Sequence, residues 1–180
     1  ETAFFDDFND GNIDGWRLID VDGDGYNWEI YNSTSITSYS YNSAYLYPDN
    51  YIVTELKYAI TESSVFAFAS RPADGSYYRD KYGVVISEDG QDWTVVWSEQ
   101  FNEYYSDYRY KYVDLSEYAG KVVYIGFRHY DTDGNQAENV LVDDVELTTE
   151  YVKFIGEGSW SDASNWLNSQ KPESTDKVFV

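Results

Sequence analysis

The segment YGVVISEDGQDWTVVW, residues 82–97, gives the clearest indication of the fold. Its two apolar runs, 82–87 and 93–97, are rich in β-branched and aromatic residues, which favour strands. Between the runs stands Glu88-Asp89-Gly90-Gln91, whose Asp-Gly pair is typical of a tight hairpin turn. The segment therefore predicts an antiparallel β-hairpin.

The chain on either side of this hairpin repeats the pattern of short apolar runs between turns rich in Asx and glycine. No long segment has a clean helical period, and residues that favour strands are abundant, with 20 Tyr, 9 Phe and 6 Trp. Strands at this spacing indicate a β-sandwich rather than alternating strands and helices. The predicted strands cover residues 4–8, 16–19, 27–31, 51–53, 64–69, 104–113, 121–130 and 140–147.

Composition narrows the choice of partners. The chain carries 33 acidic and 12 basic residues, a formal net charge of −21. Such a field repels nucleic acid and anionic membranes, so we expect neither as a partner, and it attracts divalent cations, calcium first among them. Cysteine is absent, which excludes a disulfide framework, a cysteine zinc site and a thiol nucleophile. No run of about 20 apolar residues occurs, so we expect no membrane insertion.

The sequence Asp20-Val21-Asp22-Gly23-Asp24-Gly25 places carboxylates at alternate positions. Such carboxylates can converge on a hard cation when glycines let the loop curl. The spacing matches the first half of an EF-hand loop, but Tyr31 occupies the position where that loop needs a bidentate Glu. The loop is therefore not an EF-hand. It predicts either a metal site of another kind or an acidic, solvated turn between two strands.

A second acidic candidate lies in the last strong strand. If side chains alternate faces there, Asp143 shares the side of Leu141, Val145 and Leu147 and points toward the apolar core. An unpaired charge in that place would cost roughly several kcal/mol. We therefore expect Asp143 to meet a cation, which is either a metal or an arginine such as Arg128.

The N-terminal acidic segment is a further source of ligands. The first and last strands of a sandwich often lie near each other, so Asp6, Asp7 or Asn9 can come close to Asp143. A metal held there can also replace disulfides as a staple.

Catalytic motifs are missing from the sequence. The single histidine, His129, lies in a predicted strand and is interpreted as structural. There is no G-x-S-x-G, no H-E-x-x-H and no phosphate-binding loop. A carboxylate pair for glycoside hydrolysis stays open because acidic residues are so numerous, but nothing distinguishes a pair. We predict a non-catalytic protein.

Tyrosines are the main indication of a binding surface. Two alternating sets place rings along a strand face: Tyr39, Tyr41, Tyr45 and Tyr47, and Tyr104, Tyr108, Tyr110 and Tyr112. Exposed rings stack on sugars or anchor protein contacts, whereas buried ones simply stiffen a sheet. The first candidates for ligand contact, at predicted loop tips, are Tyr77, Tyr78, Tyr104 and Tyr105.

Residues 150–180 differ in character from the rest, with a glycine-rich start and two tryptophan motifs. We predict a β-sandwich domain over residues 1–149, followed by a linker and the truncated start of another domain over residues 150–180. Glu1 is interpreted as a mature or trimmed terminus. The apolar alternation that ends at Val180 indicates that the chain is part of a larger protein.

Several of these stretches, taken in order, resemble the cleaved-adhesin domain family. That family occurs in the haemagglutinin/adhesin regions attached to gingipain-type cysteine proteases and in other surface proteins of Gram-negative anaerobes. The resemblance covers about residues 4–147 and is carried by residues 8–16, 19–25 with Trp28, 46–54, 82–87, 113–120, 125–129, 132–133 and 141–145. The tail, residues 158–166 with Pro172 and Asp176, resembles the start of a bacterial surface β-solenoid.

The resemblance implies an all-β, jelly-roll-like β-sandwich of the galactose-binding/MAM type with a short C-terminal extension. It implies structural calcium, an extracellular or cell-surface location, and adhesion to a host extracellular protein or cell-surface glycan. Two departures are Asn9, where the family has an acidic residue, and Glu55, where proline is common. The resemblance and the arguments from the residues together give seven candidate metal ligands: Asp6, Asn9, Asp20, Asp22, Asp24, Asp133 and Asp143.

Three functions stay open at this point. The chain is an adhesion module for a host protein or cell surface, a carbohydrate-binding module attached to a secreted enzyme, or a structural spacer between neighbouring domains. Binding to glycans that is lost on Tyr→Ala substitution would favour the second, and binding to matrix proteins alone would favour the first.

Overall fold

The computed structural model describes residues 2–41 and 46–180, and the fold is all-β. Within these ranges, helix is limited to three 3-10 turns, Ser116–Tyr118, Ala163–Asn165 and Leu167–Ser169. Nowhere in the described part of the chain is a helix long and apolar enough to cross a membrane. The strands are β1 (Thr2–Asp6), β2 (Trp16–Asp20), β3 (Glu29–Tyr31), β4 (Ser35–Tyr39), β5 (Asn50–Thr54), β6 (Tyr58–Ala59), β7 (Val65–Pro72), β8 (Lys81–Ser87), β9 (Thr94–Gln100), β10 (Arg109–Asp114), β11 (Val122–His129), β12 (Asn139–Thr148), β13 (Val152–Lys153) and β14 (Val178–Phe179).

The first sheet is organised around β12. Its strand order is β10-β7-β12-β4-β3, and β1 also pairs with β12. The first half of β12, residues 139–142, pairs with β4, and the second half, residues 145–148, pairs with β1. The N-terminal strand therefore lies beside the last long strand, as the sequence predicted.

The second sheet contains the predicted hairpin. Its strand order is β2-β5-β11-β8-β9, with β6 paired to β11, and β8 and β9 run antiparallel. The hairpin turn is fixed by Asp89 Oδ1, which accepts from the backbone N–H groups of Asp92 and Gln91 at 2.9 Å each. These hydrogen bonds lower the pKa of Asp89 to about 2. The two sheets confirm the predicted sandwich.

Aromatic rings fill the space between the sheets. The Phe127 ring of β11 lies 4.9 Å from the Phe68 ring and 5.5 Å from the Phe66 ring, measured between centroids. The centroid of the Trp28 ring lies 6.1 Å from that of the Phe127 ring, and all four side chains are buried. Because β7 belongs to the first sheet and β11 to the second, these contacts join the two sheets.

A β-bulge in β12 overturns one prediction. The register of β12 against β7 shifts between Asp143 and Glu146, and Asp144 adopts a φ of 49°. An extra residue in a strand reverses the alternation of faces beyond it. Regular alternation predicted that Asp143 shares the core-facing side of Val145. Because of the bulge, Asp143 lies on the opposite side, and that prediction is wrong. The residues of β12 in the core are Val140, Val142, Val145 and Leu147.

The C-terminal residues 150–180 pack against the sandwich. β13 and β14 form a short parallel pair, and the ammonium group of Lys153, which is 4% exposed, donates to Asp114 Oδ1 at 2.7 Å and to the Glu62 carbonyl at 2.8 Å. The buried Trp166 packs edge-on against Phe154. The boundary at residue 149 and the likeness to a β-solenoid stay predictions.

Removal of the Phe127 ring should leave a cavity between the sheets. We expect Phe127→Ala to lower the free energy of unfolding by about 3–5 kcal/mol, measured by urea denaturation with tryptophan fluorescence. Leu56→Ala, at a side chain that is 67% exposed, is the control and should change it by less than about 0.5 kcal/mol. Equal effects of the two substitutions would contradict the assigned core.

Candidate functional site

Two paired strands position the acidic loop. β2 ends at Asp20, which pairs with Asn50 at the start of β5, and the N–H of Val21 donates to the Asp49 carbonyl at 3.0 Å. The far side of the loop is anchored by the buried Trp28, whose Nε1 donates to the Asn50 carbonyl at 3.0 Å. Both ends of the loop are thus tied to the start of β5.

Glycines at positive φ curl the loop around its first carboxylate. Gly23 and Gly25 have φ values of 71° and 83°, and their N–H groups donate to the two oxygens of Asp20 at 2.9 Å each. Residues with a Cβ rarely adopt this conformation. One carboxylate oxygen from each of Asp20, Asp22 and Asp24 lies within 4.8 Å of the others. The loop therefore brings together the three carboxylates that the sequence singled out.

The loop carboxylates influence one another's protonation. Desolvation, followed by the hydrogen bond with Asp20 and the charges of Asp24 and Asp20, raises the pKa of Asp22 to about 7. Desolvation also acts on Asp20, but hydrogen bonds from Asp22, Gly25 and Gly23 outweigh it and hold the pKa of Asp20 below its ordinary value. Without a counter-ion, Asp22 thus keeps its proton to a higher pH than Asp20, to which it is hydrogen-bonded.

Asn50 is a residue of this site that the sequence analysis missed. Its side chain is 2% exposed, and the amide faces the Tyr26 carbonyl and Asp22 Oδ1. With its nitrogen toward the loop, it donates to these two oxygens at 3.0 and 3.2 Å. Turned the other way, it donates to Ser38 Oγ at 3.5 Å, and its oxygen joins the two loop oxygens in a set of acceptors suited to a cation.

A second acidic cluster forms where β1 meets the bulge of β12. Desolvation raises the pKa of Asp143 to about 6, and the charges of Asp144, Asp7 and Asp6 act in the same direction. The sequence predicted this approach of the N-terminal acidic segment to Asp143. It did not predict that Asp144 would take part.

The N-terminal side of this cluster is held by hydrogen bonds within the chain. Asp6 Oδ1 accepts from the N–H of Phe8, and Asp6 Oδ2 accepts from Trp16 Nε1, both at 2.8 Å. Asn9, whose side chain is exposed, donates its N–H to Asp7 Oδ1 at 3.1 Å. Asp6 is therefore fixed beside the core rather than free to turn.

The predicted metal ligands lie in different parts of the sandwich. Trp16, which binds Asp6, begins β2, whereas Asp20 ends that strand about 13 Å further on. Asp133 lies elsewhere, in a shallow groove with Asp49, and its Oδ1 accepts from the N–H and side-chain amide of Asn135 at 2.9 Å. The predicted ligands therefore form two clusters, and Asp133 lies apart from both.

Arg128 does not pair with Asp143. Its Nε and Nη2 donate to the two carboxylate oxygens of Asp49 at 2.8 and 3.0 Å. The guanidinium also lies 4.4 Å from the centre of the Tyr130 ring. The predicted alternative of an Arg128–Asp143 ion pair is therefore wrong.

The four candidate binding tyrosines lie in two adjacent loops. Tyr77 and Tyr104 are 51% and 43% exposed, and the Tyr104 ring lies against Gly75, so the loops touch. Tyr78 is half-buried in a β-bridge to Ala137. Only Tyr77 and Tyr104 of the four offer an exposed ring.

Tyr105 is held under a cation. The guanidinium of Arg109 lies 3.6 Å from the centre of its ring, and its hydroxyl is buried without a hydrogen-bond partner among the described residues. Of the alternating tyrosine sets, Tyr45 lies outside the described residues, whereas Tyr110 and Tyr112 present exposed rings on β10.

The raised pKa of Asp143 predicts a pH dependence for the metal-free protein. The folded state holds this proton more tightly than the unfolded chain, whose carboxyl titrates near 3.8. The contribution to stability is complete below about pH 4 and is lost as the pH rises through 6. In chelator, the free energy of unfolding should fall across this window by less in Asp143→Asn than in the wild type.

Urea denaturation at several pH values measures this effect. Asp107→Asn, which removes an exposed carboxylate in another loop, is the matched control and should keep the wild-type profile. A wild-type profile in Asp143→Asn would contradict the assignment.

Comparison with known proteins identifies relatives of the whole sandwich. A model of the Cleaved Adhesin Domain family matches residues 1–147. Hemagglutinin A of Porphyromonas gingivalis is 30% identical over 182 residues, which cover 82% of this chain and 8% of that protein. Lys-gingipain of the same species is 28% identical over 166 residues, with coverage of 74% and 9%. The chain thus spans less than a tenth of the length of either relative.

Solved structures agree with this match. The K1 Cleaved Adhesin domain of Lys-gingipain from P. gingivalis has a TM-score of 0.67 at 26% identity, covering 82% of this chain and 98% of that one. The K3 domain has a TM-score of 0.69 at 24% identity, with coverage of 83% and 100%. A carbohydrate-binding module, TmCBM61, solved with β-1,4-galactotriose, shares the fold at 10% identity and a TM-score of 0.51, covering 79% of this chain and 94% of that one. The matched residues include both acidic clusters, and the chain belongs to the Cleaved Adhesin Domain family.

Proposed function

We propose that this chain is a calcium-stabilised, extracellular adhesion module that binds a host protein or glycan and catalyses no reaction. The observation that carries the adhesive role is the family match over residues 1–147. The names of the relatives, Hemagglutinin A and Lys-gingipain, support a place at the bacterial surface. Neighbouring domains of a longer chain would present the module there.

The acidic loop fits a calcium ion. It offers carboxylates from Asp20, Asp22 and Asp24 within 4.8 Å of one another, and the carbonyl of Tyr26 and the amide of Asn50 face the same place. Calcium takes six to eight such oxygen ligands and tolerates irregular geometry. Bound calcium would supply the positive charge that these carboxylates lack and would displace the proton favoured by the raised pKa of Asp22.

The second cluster is proposed as a further calcium site. Desolvation raises the pKa of Asp143 to about 6, and the charges of the nearby Asp144, Asp7 and Asp6 act in the same direction. Because Asp6 already accepts two hydrogen bonds, Asp143 and Asp7 are the ligands most easily offered to an ion. Asn9 and Asp133 stay predicted ligands.

The environment of the single histidine supports the absence of catalysis. His129 Nε2 is 2.7 Å from Asp80 Oδ1, and His129 Nδ1 is 2.8 Å from Ser38 Oγ. The order serine–histidine–aspartate is that of a hydrolytic triad, but all three side chains are fully buried. A nucleophile must reach its substrate, so we interpret this set as a structural network.

A carbohydrate-binding module attached to a secreted enzyme is the second candidate function. It is favoured by the shared fold with TmCBM61, whose structure holds a galactotriose, and by the exposed tyrosines of this chain. The first candidate places the contact surface at the loops of Tyr77 and Tyr104. Both candidates use exposed rings that lose little entropy on binding.

Calcium should stabilise the folded chain. At a free calcium concentration 100 times the dissociation constant of one site, binding adds about 2.7 kcal/mol, which raises the melting temperature by roughly 5–10 °C over that in chelator. We expect Asp22→Asn to remove the part of the rise that the acidic loop supplies and Asp107→Asn to keep the whole rise. Thermal melting with calcium, with magnesium and with chelator measures the effect. Equal melting temperatures in all three would refute the calcium proposal.

The adhesive role predicts binding to cells or matrix proteins. Beads that carry the whole chain should retain red cells or immobilised extracellular-matrix protein in calcium-containing buffer. The double substitution Tyr77→Ala with Tyr104→Ala should reduce retention at least about tenfold, since each exposed ring contributes on the order of 1 kcal/mol. Leu56→Ala, at a side chain that is 67% exposed in another loop, is the control. Beads that retain nothing would leave only the spacer role.

A further inference from the structure

The outer face of the first sheet carries a groove that lies apart from the predicted contact loops. It has a volume of about 740 Å³, and its lining residues include Phe5, Tyr110, Tyr112, Asp144, Glu146 and Lys177. The exposed fractions of Phe5, Tyr110 and Tyr112 are 54%, 56% and 52%. Three aromatic rings on one sheet face are therefore accessible to a ligand.

The strand register explains how the groove forms. Tyr112 of β10 pairs with Ala67 of β7, Ala67 pairs with Glu146 of β12, and Glu146 pairs with Phe5 of β1. Directly paired residues share a face, and four neighbouring strands span about 14 Å. The small Ala67 side chain thus forms a floor between aromatic rims at Tyr112 and Phe5.

The bulge in β12 adds a polar group to this floor. With a φ of 49°, Asp144 leaves the regular strand path, and its Oδ2 accepts from the Tyr110 hydroxyl at 2.7 Å. A bulge redirects a side chain in this way. The rings of Tyr110 and Tyr112 stack with an interplanar angle of 23° and a centroid distance of 6.4 Å. One side of the groove is therefore formed by two stacked tyrosine rings next to a carboxylate.

The charges in the groove select against ionic ligands. Asp144 and Glu146, in a chain of net charge −21, repel anions such as sialylated or sulfated sugars. A cationic ligand would find Glu146 engaged, because its Oε1 accepts from Lys177, Thr2 and Thr148. The ammonium group of Lys177 also repels a second cation. The groove is thus suited to an uncharged ligand with many hydroxyl groups.

We propose that this groove binds an uncharged oligosaccharide, whose sugar rings stack on Tyr110 and Tyr112 and whose hydroxyls donate to Asp144. Aromatic faces pack against the apolar C–H face of a pyranose, and carboxylates accept from neighbouring hydroxyls. This inference rests on the proposed adhesive function and specifies its ligand class.

Binding of the whole chain to an array of neutral, sialylated and sulfated oligosaccharides tests the proposal, with affinities measured by calorimetry on neutral hexasaccharides that bind. We expect neutral glycans alone to bind. Tyr112→Ala should weaken binding at least about tenfold, whereas Tyr112→Phe, which keeps the ring, should stay within about threefold of the wild type. Leu56→Ala is the control outside the groove, and melting temperatures show that each variant is folded.

Three results would overturn the groove proposal: no neutral glycan binds at millimolar concentration, Tyr112→Ala binds as the wild type does, or a lysine-rich peptide binds in the groove instead. Retention of red cells or matrix protein is measured on the same variants. If no glycan binds but the Tyr112→Ala variant still retains red cells or matrix protein, the groove proposal is wrong and the adhesive function is supported. A wild-type chain that neither binds a glycan nor retains red cells or matrix protein would contradict the adhesive function as well.

Discussion

The carboxylates of Asp20, Asp22 and Asp24 are held within 4.8 Å of one another in a chain of net charge −21. Backbone hydrogen bonds from Gly23 and Gly25 keep Asp20 in place, so the loop cannot relieve the repulsion by spreading. Desolvation, followed by the hydrogen bond with Asp20 and the charges of Asp24 and Asp20, raises the pKa of Asp22 to about 7. The proposed divalent cation would offset this repulsion and would tie the loop to β5, in a chain that has no disulfide to serve as a staple.

The long strand β12 connects the acidic cluster around Asp143 to the proposed ligand groove. It pairs with β4 over its first half and with β1 over its second, and the bulge lies at the change between them. Asp143, at the bulge, lies near the N-terminal aspartates, whereas Asp144 contacts Tyr110 across the outer face. A single departure from regular strand geometry thus serves two surfaces. The backbone conformation of Asp144 therefore affects both surfaces, in addition to the contact of its side chain with Tyr110.

The sequence predicted those features correctly that depend only on residues close together in the chain. The hairpin of residues 82–97 follows from apolar runs around an Asp-Gly turn, and the acidic loop follows from the spacing of its aspartates and glycines. The face of Asp143 was predicted wrongly because alternation holds only in a regular strand, and nothing in Val142-Asp143-Asp144-Val145 marks the inserted residue. The roles of Asn50, Phe5 and Tyr112 depend on which strands become neighbours. Sheet order, which one sequence does not reveal, brings them to their partners.

The location of the bound ion tests the central claim most directly. Crystals of the whole chain grown with calcium, in which the ion is found by its anomalous scattering, would show its ligands without reference to stability. The account predicts an ion in the loop about 2.3–2.6 Å from oxygens of Asp20, Asp22 and Asp24, with the Asn50 amide oxygen turned toward it. A loop without an ion at millimolar calcium would contradict it.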